Sequence, residues 1–347
     1  MGFYALLFAG LLVVTFLLLE IVAHVLDPLG VSYYPKTAEY MDTMILEEPI
    51  GYRNRPNLEG TYYGVPVRIN SLGLRDREID LVSGDNEFRI LVLGDSMPFG
   101  IGVKYEQSIP HQLEQVLEAG TAGSGWEFRT INGGTVSYNT EQELIQLQEL
   151  GLRLRPRLVT LMYMENDIQP KMWVFDKRRA WYVRRIERSY AASLLAVVYK
   201  KLTGLGPVGR IEGSHRLDDP GWTRADAALT EINRLCREAG TPFVVFTLAP
   251  IPLVARVGER EGFPVVSLLE MPYWTSAGKR PEDFANSATD GHPNPEGSAV
   301  YARLMYEALA DLDVLPAEPV QGLVGYTAEP RGSAVEPLSR RGEAERR

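Results

Sequence analysis

The sequence predicts an α/β fold with a mostly parallel sheet covered by helices on both faces, preceded by one transmembrane helix. Two observations lead to this prediction. After residue 85, short and continuously apolar runs alternate with longer stretches of helical periodicity, as in parallel sheets that are buried on both faces. Before residue 27, the chain is apolar over a length that suits a bilayer span.

The first 27 residues are predicted to form an uncleaved membrane anchor. Residues 3–19 are apolar apart from Thr15, and Glu20 is followed by a second apolar stretch over residues 21–26. About 20 such residues in a helix span a hydrocarbon core of about 30 Å. The alternatives are a cleaved signal peptide, which has a basic start and an Ala-x-Ala-like exit, and a buried core helix, which is rarely apolar on every face. Neither flank pattern of a signal peptide is present.

The orientation of this anchor has little support in the sequence. No Lys or Arg precedes the helix and the first one after it is Lys36, so the positive-inside rule has almost nothing to count. We expect the body of the chain to lie outside the cytoplasm. The lack of disulfides fits either side of the membrane.

The rest of the chain divides into a lead-in, one α/β domain and a tail. Residues 28–85 are rich in Pro, Gly, Tyr and charge, which predicts turns and short strands, one of them over residues 67–70. Residues 86–314 carry the α/β pattern, and residues 315–347 lack periodicity and predict a disordered tail. The predicted strands are residues 90–93, 128–131, 159–163, 243–246 and 264–268, and the predicted helices are residues 109–117, 141–152, 225–239 and 296–312.

Residues 167–222 form an insertion that is too long for a single crossover helix. Its first part, residues 171–201, contains nine basic residues against Asp176 and Glu187, together with large aromatic side chains that include Trp173, Phe175, Trp181, Tyr182 and Tyr190. Two interpretations remain open, a solvated helical excursion and a cap or membrane-facing surface.

Composition excludes several kinds of partner. The 347 residues are enough for one substantial core, and the net charge of −9 does not favour nucleic acid as a partner. The single Cys236 permits neither an intrachain disulfide nor a cysteine metal cluster. The four histidines have no metal-ligand spacing, so we expect no metal and no cofactor.

Polar residues and glycines follow the predicted strands directly, at the edge where open parallel sheets bind ligands. Ser96 follows the first strand, Gly134 lies in an Asn-Gly-Gly motif after the second, and Asn166 lies in a Glu-Asn-Asp motif after the third. His292 stands in an Asp-Gly-His-Pro-Asn motif before the last helix, where Asn294 suits an N-cap. The sequence order therefore predicts that these side chains meet at one edge of the sheet.

This set of residues is typical of ester cleavage, which needs a nucleophile, a base and donors for the oxyanion. Ser96 is the predicted nucleophile, and His292 is the predicted base that carries its proton to the leaving alcohol. The backbone N–H groups of Ser96 and Gly134 and the side chain of Asn166 are predicted to hold the oxyanion. Asp290 is predicted to orient the imidazole, as the acid does in other triads.

The same motifs resemble those of the SGNH (GDSL-like) hydrolases over residues 88–312. The four similar blocks, in the order of that family, are Gly94-Asp95-Ser96, Asn132-Gly133-Gly134, Glu165-Asn166-Asp167 and Asp290-Gly291-His292-Pro293-Asn294. The resemblance implies a flavodoxin-like, three-layer αβα sandwich. It also implies hydrolysis of esters, often acetyl or acyl groups on sugars or lipids.

One position departs from the family pattern. The acid of the family commonly stands three residues before the histidine, where this chain has Thr289, whereas Asp290 stands two residues before His292. Either Asp290 acts from this shifted position or a backbone carbonyl orients the imidazole.

Other chemistries fit the sequence less well. The Gly-x-Ser-x-Gly elbow of α/β-hydrolases, the P-loop and the dinucleotide glycine fingerprint are all missing. Two alternatives to hydrolysis stay open. One is an O-acyltransferase that uses the same residues on a cell-surface polysaccharide, and the other is a non-catalytic binding protein on the same fold.

Overall fold

The computed structural model describes residues 2–27, 29–121, 124–170, 181–203, 217–287 and 289–316. Its central feature is a five-stranded parallel sheet. The helices are α1 (Gly2–Leu26), α2 (Tyr33–Met41), α3 (Ser96–Phe99), α4 (Ile109–Gly120), α5 (Thr140–Glu149), α6 (Trp181–Glu187), α7 (Tyr190–Thr203), α8 (Pro220–Glu238), α9 (Pro252–Glu261), α10 (Tyr273–Ala277) and α11 (Pro295–Asp311). The strands are β1 (Ile45–Glu47), β2 (Gly51–Arg53), β3 (Glu59–Tyr62), β4 (Val65–Arg68), β5 (Glu87–Gly94), β6 (Glu127–Asn132), β7 (Leu158–Tyr163), β8 (Phe243–Thr247) and β9 (Val265–Ser267).

The strand order of the sheet is β6-β5-β7-β8-β9. The chain therefore moves to one side of β5 for β6 and to the other side for β7, which is the order of flavodoxin-like folds. Loops that leave β5 and its neighbours in opposite directions open a crevice at the carboxyl ends of the strands. The predicted fold class is confirmed, and the five predicted strands each agree with an observed strand within a few residues.

Two hydrophobic cores cover the two faces of the sheet. On one face, α4 and α11 pack on alternate strand residues such as Ile90, Val92 and Phe246. On the other face, α5, α8 and α9 pack on residues such as Leu91 and Val159. Side chains along a strand point alternately to the two faces, which is why continuously apolar strands supply both cores.

Sequence-local caps set the starts of the long helices. Asn139 and Gln142 form a reciprocal capping box at α5. Asp219 caps α8 and is followed by a proline in the first turn, and Asn294 caps α11 through the N–H of Gly297 at 2.9 Å. The predicted N-cap role of Asn294 is therefore confirmed.

The lead-in segment contains a helix that the sequence analysis did not predict. Helix α2 buries Tyr40 and Met41 in a third cluster, which includes Tyr52 from the lead-in, Phe99 from α3 and Val136 from the loop after β6. The Pro and Tyr content of this segment masks a short amphipathic helix whose stability comes from tertiary packing rather than from propensity. The lead-in thus lies on the crevice loops instead of extending away from them.

Helix α1 forms as predicted over residues 2–26. Of the helices that the structure describes, α1 is the one long and apolar enough to cross a membrane. The insertion contains α6 and α7, while residues 171–180 and 204–216 of it lie outside the described residues. The predicted tail also lies outside them from residue 317 onward.

Candidate active site

Ser96 stands at the first residue of α3, directly after the carboxyl end of β5. The strand ends at Gly94, whose φ of 145° is unfavourable for other residues and whose missing side chain leaves room for Pro98. Asp95 caps α3 by accepting the N–H of Met97 at 3.0 Å. This strand-to-helix turn holds the Ser96 hydroxyl at the crevice.

A buried arginine from the lead-in holds the chain that follows α3. The Arg75 guanidinium is fully buried and donates to the carbonyls of Phe99 at 2.9 Å and Val103 at 2.7 Å, and also to that of Gly100. The guanidinium carbon (Cζ) of Arg75 lies 5.0 Å from the centre of the Phe99 ring, which is a cation–π contact. Arg75 therefore fixes the loop beside the serine, a contribution that the sequence analysis missed.

The structure brings Ser96, His292 and Asp290 together in one hydrogen-bonded chain. His292 Nε2 lies 2.7 Å from Ser96 Oγ, and His292 Nδ1 lies 2.6 Å from Asp290 Oδ1. Because a carboxylate only accepts, Nδ1 carries the proton and Nε2 is left to accept the proton of Ser96. This is the geometry of an activated serine.

Asp290 reaches His292 from two residues away because the loop between them is tight. The backbone N–H of His292 also donates to Asp290 Oδ1, at 3.1 Å, so one oxygen binds both the ring and the main chain. Asn286 Nδ2 lies 3.2 Å from the other carboxylate oxygen. Of the two alternatives for the orienting group, the geometry favours Asp290 over a backbone carbonyl.

Two of the three predicted oxyanion donors, Asn166 and Gly134, donate hydrogen bonds to nearby side chains. The side chain of Asn166 donates to Asp95 Oδ2 at 2.9 Å, and within the described part of the chain its second N–H has no acceptor, since a carboxamide has two N–H groups. The N–H of Gly134 donates to Asn132 Oδ1 at 2.9 Å and so already has an acceptor. A side chain at Gly134 would also collide with the backbone N of Phe99, so this glycine is required for close packing.

Ser137, in the loop after β6, has a backbone conformation that the sequence analysis did not predict. It has a φ of 61°, in the left-handed region that favours glycine. The Tyr52 hydroxyl donates toward the carbonyls of Val136 and Ser137, at 3.1 and 2.8 Å. Because a trans peptide points its C=O and N–H in opposite directions, the N–H of Ser137 points away from Tyr52. A serine in place of glycine leaves no signal for this backbone position in the sequence.

The chain that follows α1 contacts the His292 loop. The ring of Tyr33 packs on the imidazole of His292 with centroids 5.3 Å apart. Thr289 Oγ1 lies 2.8 and 2.7 Å from the carbonyl oxygens of Leu29 and Gly30. Burial, and next the charge of Asp290, raise the pKa of Tyr33, so its hydroxyl stays protonated. Residues near the predicted anchor thus form part of the site wall.

Two buried carboxyl groups lie behind the nucleophile loop. Burial is the main cause that raises the pKa of Glu143 and of Asp167, and the charge of Asp95 contributes to both. A raised pKa lowers the negative charge that these groups add beside Asp95. Among the described residues, no group of three His, Cys, Asp or Glu side chains is placed to hold a metal ion. The expectation of no cofactor stays a prediction.

The fold and this site define a class, the α/β proteins with a serine at the first strand-to-helix turn and a histidine ahead of the last helix. The model of the GDSL-like lipase/acylhydrolase family matches residues 92–300, which is more than half of the chain. The chain belongs to this family of hydrolases, and the resemblance noted from its four sequence blocks is confirmed.

Solved structures of similar proteins have low identity to this chain. TesA is 16% identical, with 65% of this chain and 99% of that chain covered and a TM-score of 0.41. The psychrotrophic esterase EstA from Pseudoalteromonas sp. is 16% identical, with 66% and 98% covered and a TM-score of 0.41. The acetyl xylan esterase AlAXEase is 13% identical, with 64% and 100% covered and a TM-score of 0.41. The comparison with curated proteins found no match.

Proposed function

We propose that this chain is a membrane-anchored carboxylic ester hydrolase that cleaves an acyl ester of a carbohydrate or lipid through an acyl-enzyme on Ser96. The observation that carries the proposal is the chain of two short contacts, 2.7 Å from Ser96 to His292 and 2.6 Å from His292 to Asp290. A serine hydroxyl is a weak nucleophile unless an oriented base removes its proton. These contacts supply the base and its orienting acid.

In the acylation step, Ser96 Oγ attacks the ester carbonyl carbon while its proton moves to His292 Nε2. The Asp290 carboxylate stabilises the imidazolium that results. The tetrahedral intermediate then breaks its bond to the alcohol, which leaves with the proton from Nε2, and the acyl group stays on Ser96. In the second step, water attacks the acyl carbon and passes a proton to His292. The tetrahedral intermediate then breaks its bond to Ser96 Oγ, which takes this proton from His292, and the carboxylic acid leaves.

The oxyanion in both steps needs donors that are already aimed at it. The proposed donors are the N–H of Ser96 and the free N–H of Asn166, whose side chain is oriented by Asp95 at 2.9 Å. Gly134 joins them if its N–H moves from Asn132 to the oxyanion. One such donor lowers the barrier by about 3 kcal/mol.

The decisive assay compares full-length chain, purified in detergent, with Ser96→Ala and His292→Ala. Substrates are p-nitrophenyl esters from acetate to longer acyl chains. We expect both variants to lose about a thousandfold or more in kcat/KM, with unchanged thermal unfolding. A folded wild type that is inert to all of these esters and to a serine-directed fluorophosphonate would refute the proposal and favour the binding-protein alternative.

Acyl transfer is the second candidate, and one contact supports it. The Tyr33 ring lies against His292 and so limits the access of water to the base from that side. If a polysaccharide hydroxyl replaces water in the second step, the acyl group appears on the sugar. Mass analysis of products formed with and without a sugar acceptor separates transfer from hydrolysis.

Retention of helix α1 is also part of the proposal. The Glu20 carboxylate accepts from Ser189 Oγ at 2.7 Å and from the N–H groups of Tyr190 and Ala191 at 2.9 and 2.8 Å. Cleavage after α1 would remove this partner from the first turn of α7, which favours an anchor over a signal peptide. N-terminal mass spectrometry of the protein from the membrane fraction tests this, since a mature chain that starts after Leu26 would contradict it. An extracytoplasmic catalytic domain remains the expected orientation.

A further inference from the structure

Helices α6 and α7 expose an unusual combination of apolar and basic side chains. Five basic residues stand against one acidic residue over residues 181–203, in a chain whose net charge is −9. Large apolar side chains are exposed on the same two helices, namely Trp181, Tyr182, Ile186, Leu195, Val198, Tyr199 and Leu202. Aromatic and apolar side chains mixed with Lys and Arg are typical of helices that lie in a membrane interface.

The start of helix α7 is hydrogen-bonded to α1 near the carboxyl end of that helix. The three hydrogen bonds to Glu20 cap the first turn of α7, and the ring of Tyr190 lies 4.3 Å from that of His24. Ala23 is fully buried in this contact region, whereas its neighbours Val22 and Val25 are exposed. Glu20 is six residues, or about 9 Å, from the end of α1 at 1.5 Å per residue. The start of α7 therefore lies beside the last turns of the anchor.

Helix α6 is held by the lead-in helix that follows the anchor. Arg184 donates to Asp42 at 2.9 Å, and Arg188 pairs with the other oxygen of the same carboxylate. Asp42 is the C-cap residue of α2. Both insertion helices are thus tied to the segment where α1 meets the body of the protein.

We propose that α6 and α7 form a platform that lies on a phospholipid bilayer, with the exposed Arg185, Lys200 and Lys201 toward anionic head groups and the exposed apolar side chains in the interface. A bilayer is the partner that this surface fits, because α1 exposes apolar side chains along its length and α7 packs beside its last turns. Charge complementarity points the same way, since basic side chains near a bilayer surface are attracted to anionic lipid and this surface is basic. The proposal rests on the retention of α1.

The position of the platform also indicates a class of substrate, an inference that rests on the proposed ester hydrolysis. Thr289, three residues from His292, is bonded to the carbonyls of Leu29 and Gly30, which follow the last residue of α1 by three and four positions. The reacting groups are therefore held a short distance from the membrane end of the anchor. The ester of an amphiphile that resides in the bilayer is the substrate class that this placement suits.

The test uses full-length chain in phosphatidylcholine vesicles with and without phosphatidylglycerol. A cysteine carrying an environment-sensitive NBD label is placed at Leu202→Cys, which is 81% exposed, and at the control position Val82→Cys, which is 74% exposed and lies in the loop before β5. The native Cys236 is fully buried and does not take up label in the folded protein. Quenching by lipids that carry a nitroxide near the head group reports contact with the bilayer.

We expect a blue-shifted emission and several-fold stronger quenching at residue 202 than at residue 82. The double variant Lys200→Glu/Lys201→Glu should lose most of this difference in vesicles with phosphatidylglycerol. Its hydrolysis of soluble p-nitrophenyl acetate should stay at the wild-type rate, while hydrolysis of a vesicle-bound ester falls. Equal, water-like emission at both positions in protein that co-floats with vesicles would overturn the platform, and so would a chain that does not bind vesicles at all.

The two proposals fail in different ways. If Ser96→Ala hydrolyses both esters as well as the wild type, the proposed function fails whatever the fluorescence shows. If quenching at residue 202 is strong but the vesicle-bound ester is cleaved no faster than in the charge-reversal variant, the platform stands and the substrate class is wrong.

Discussion

Replacing Asp290 by asparagine tests which group orients His292, the proposed catalytic base. Asp290 Oδ1 receives two donors from His292, at 2.6 and 3.1 Å, and its other oxygen receives one donor from Asn286, at 3.2 Å. An asparagine keeps its oxygen toward the two donors, since the reverse orientation loses more hydrogen bonds. The tautomer of His292 is then retained, and the charge that stabilises the imidazolium is lost.

The expected loss follows from that charge. Two unit charges about 4 Å apart interact by about 4 kcal/mol at an effective dielectric constant of about 20. Since each 1.36 kcal/mol is a factor of ten in rate, Asp290→Asn should lower kcat/KM by about a thousandfold. The measurement is hydrolysis of a p-nitrophenyl ester over a range of pH, together with thermal unfolding to show that the variant folds.

A matched control uses the neighbouring residue at the position where the family commonly has its acid. Thr289→Val removes the hydroxyl that lies against the carbonyls of Leu29 and Gly30 but leaves the contact between Asp290 and His292. We expect this variant to keep its rate within a few-fold. If Asp290→Asn also stays within a few-fold of the wild type, the reasoning is refuted and a backbone group orients the imidazole.

Three further predictions concern the packing around the site. Burial raises the pKa of Glu143, so the folded state binds the proton of this carboxyl more tightly than the unfolded state. The stability that this group contributes is therefore present below its unfolded pKa of about 4.3 and is lost as the pH rises through its folded pKa. Glu143→Gln should therefore flatten the fall of Tm between acidic and alkaline buffer, and an unchanged slope would contradict the assignment. Gly134→Ala should destabilise the fold by about 1–3 kcal/mol and lower activity, because the new methyl group collides with the backbone of Phe99. In the control Gly84→Ala the new methyl group makes only ordinary contacts, so stability and activity should stay unchanged. Glu20→Gln should speed hydrogen exchange in the first turn of α7, since the amide accepts through one oxygen where the carboxylate accepts through two, and equal exchange rates would count against that cap.

Most of the α/β domain could be predicted from the sequence because its signals are local. A buried parallel strand is a continuous apolar run, and the turns after the strands carry their glycine and polar residues next to them in the chain. This is why strand β7 was predicted within one residue and helix α11 through the cap at Asn294. Helices α2 and α9 were missed, since prolines and charged residues in short segments hide a buried face that only packing reveals.

The sequence by itself predicted the fold class and the polar, glycine-containing turns that follow the strands. It also predicted that Ser96, His292 and Asn166 lie at the carboxyl edge of the sheet. Only the tertiary structure showed that Asp290 reaches the imidazole, that Tyr33 lies against it and that Glu20 caps α7. These contacts join residues far apart in the chain or depend on the exact path of a loop, and their geometry follows from side-chain packing. Periodicity and local turn chemistry do not encode such contacts, because they describe each segment without its neighbours in space.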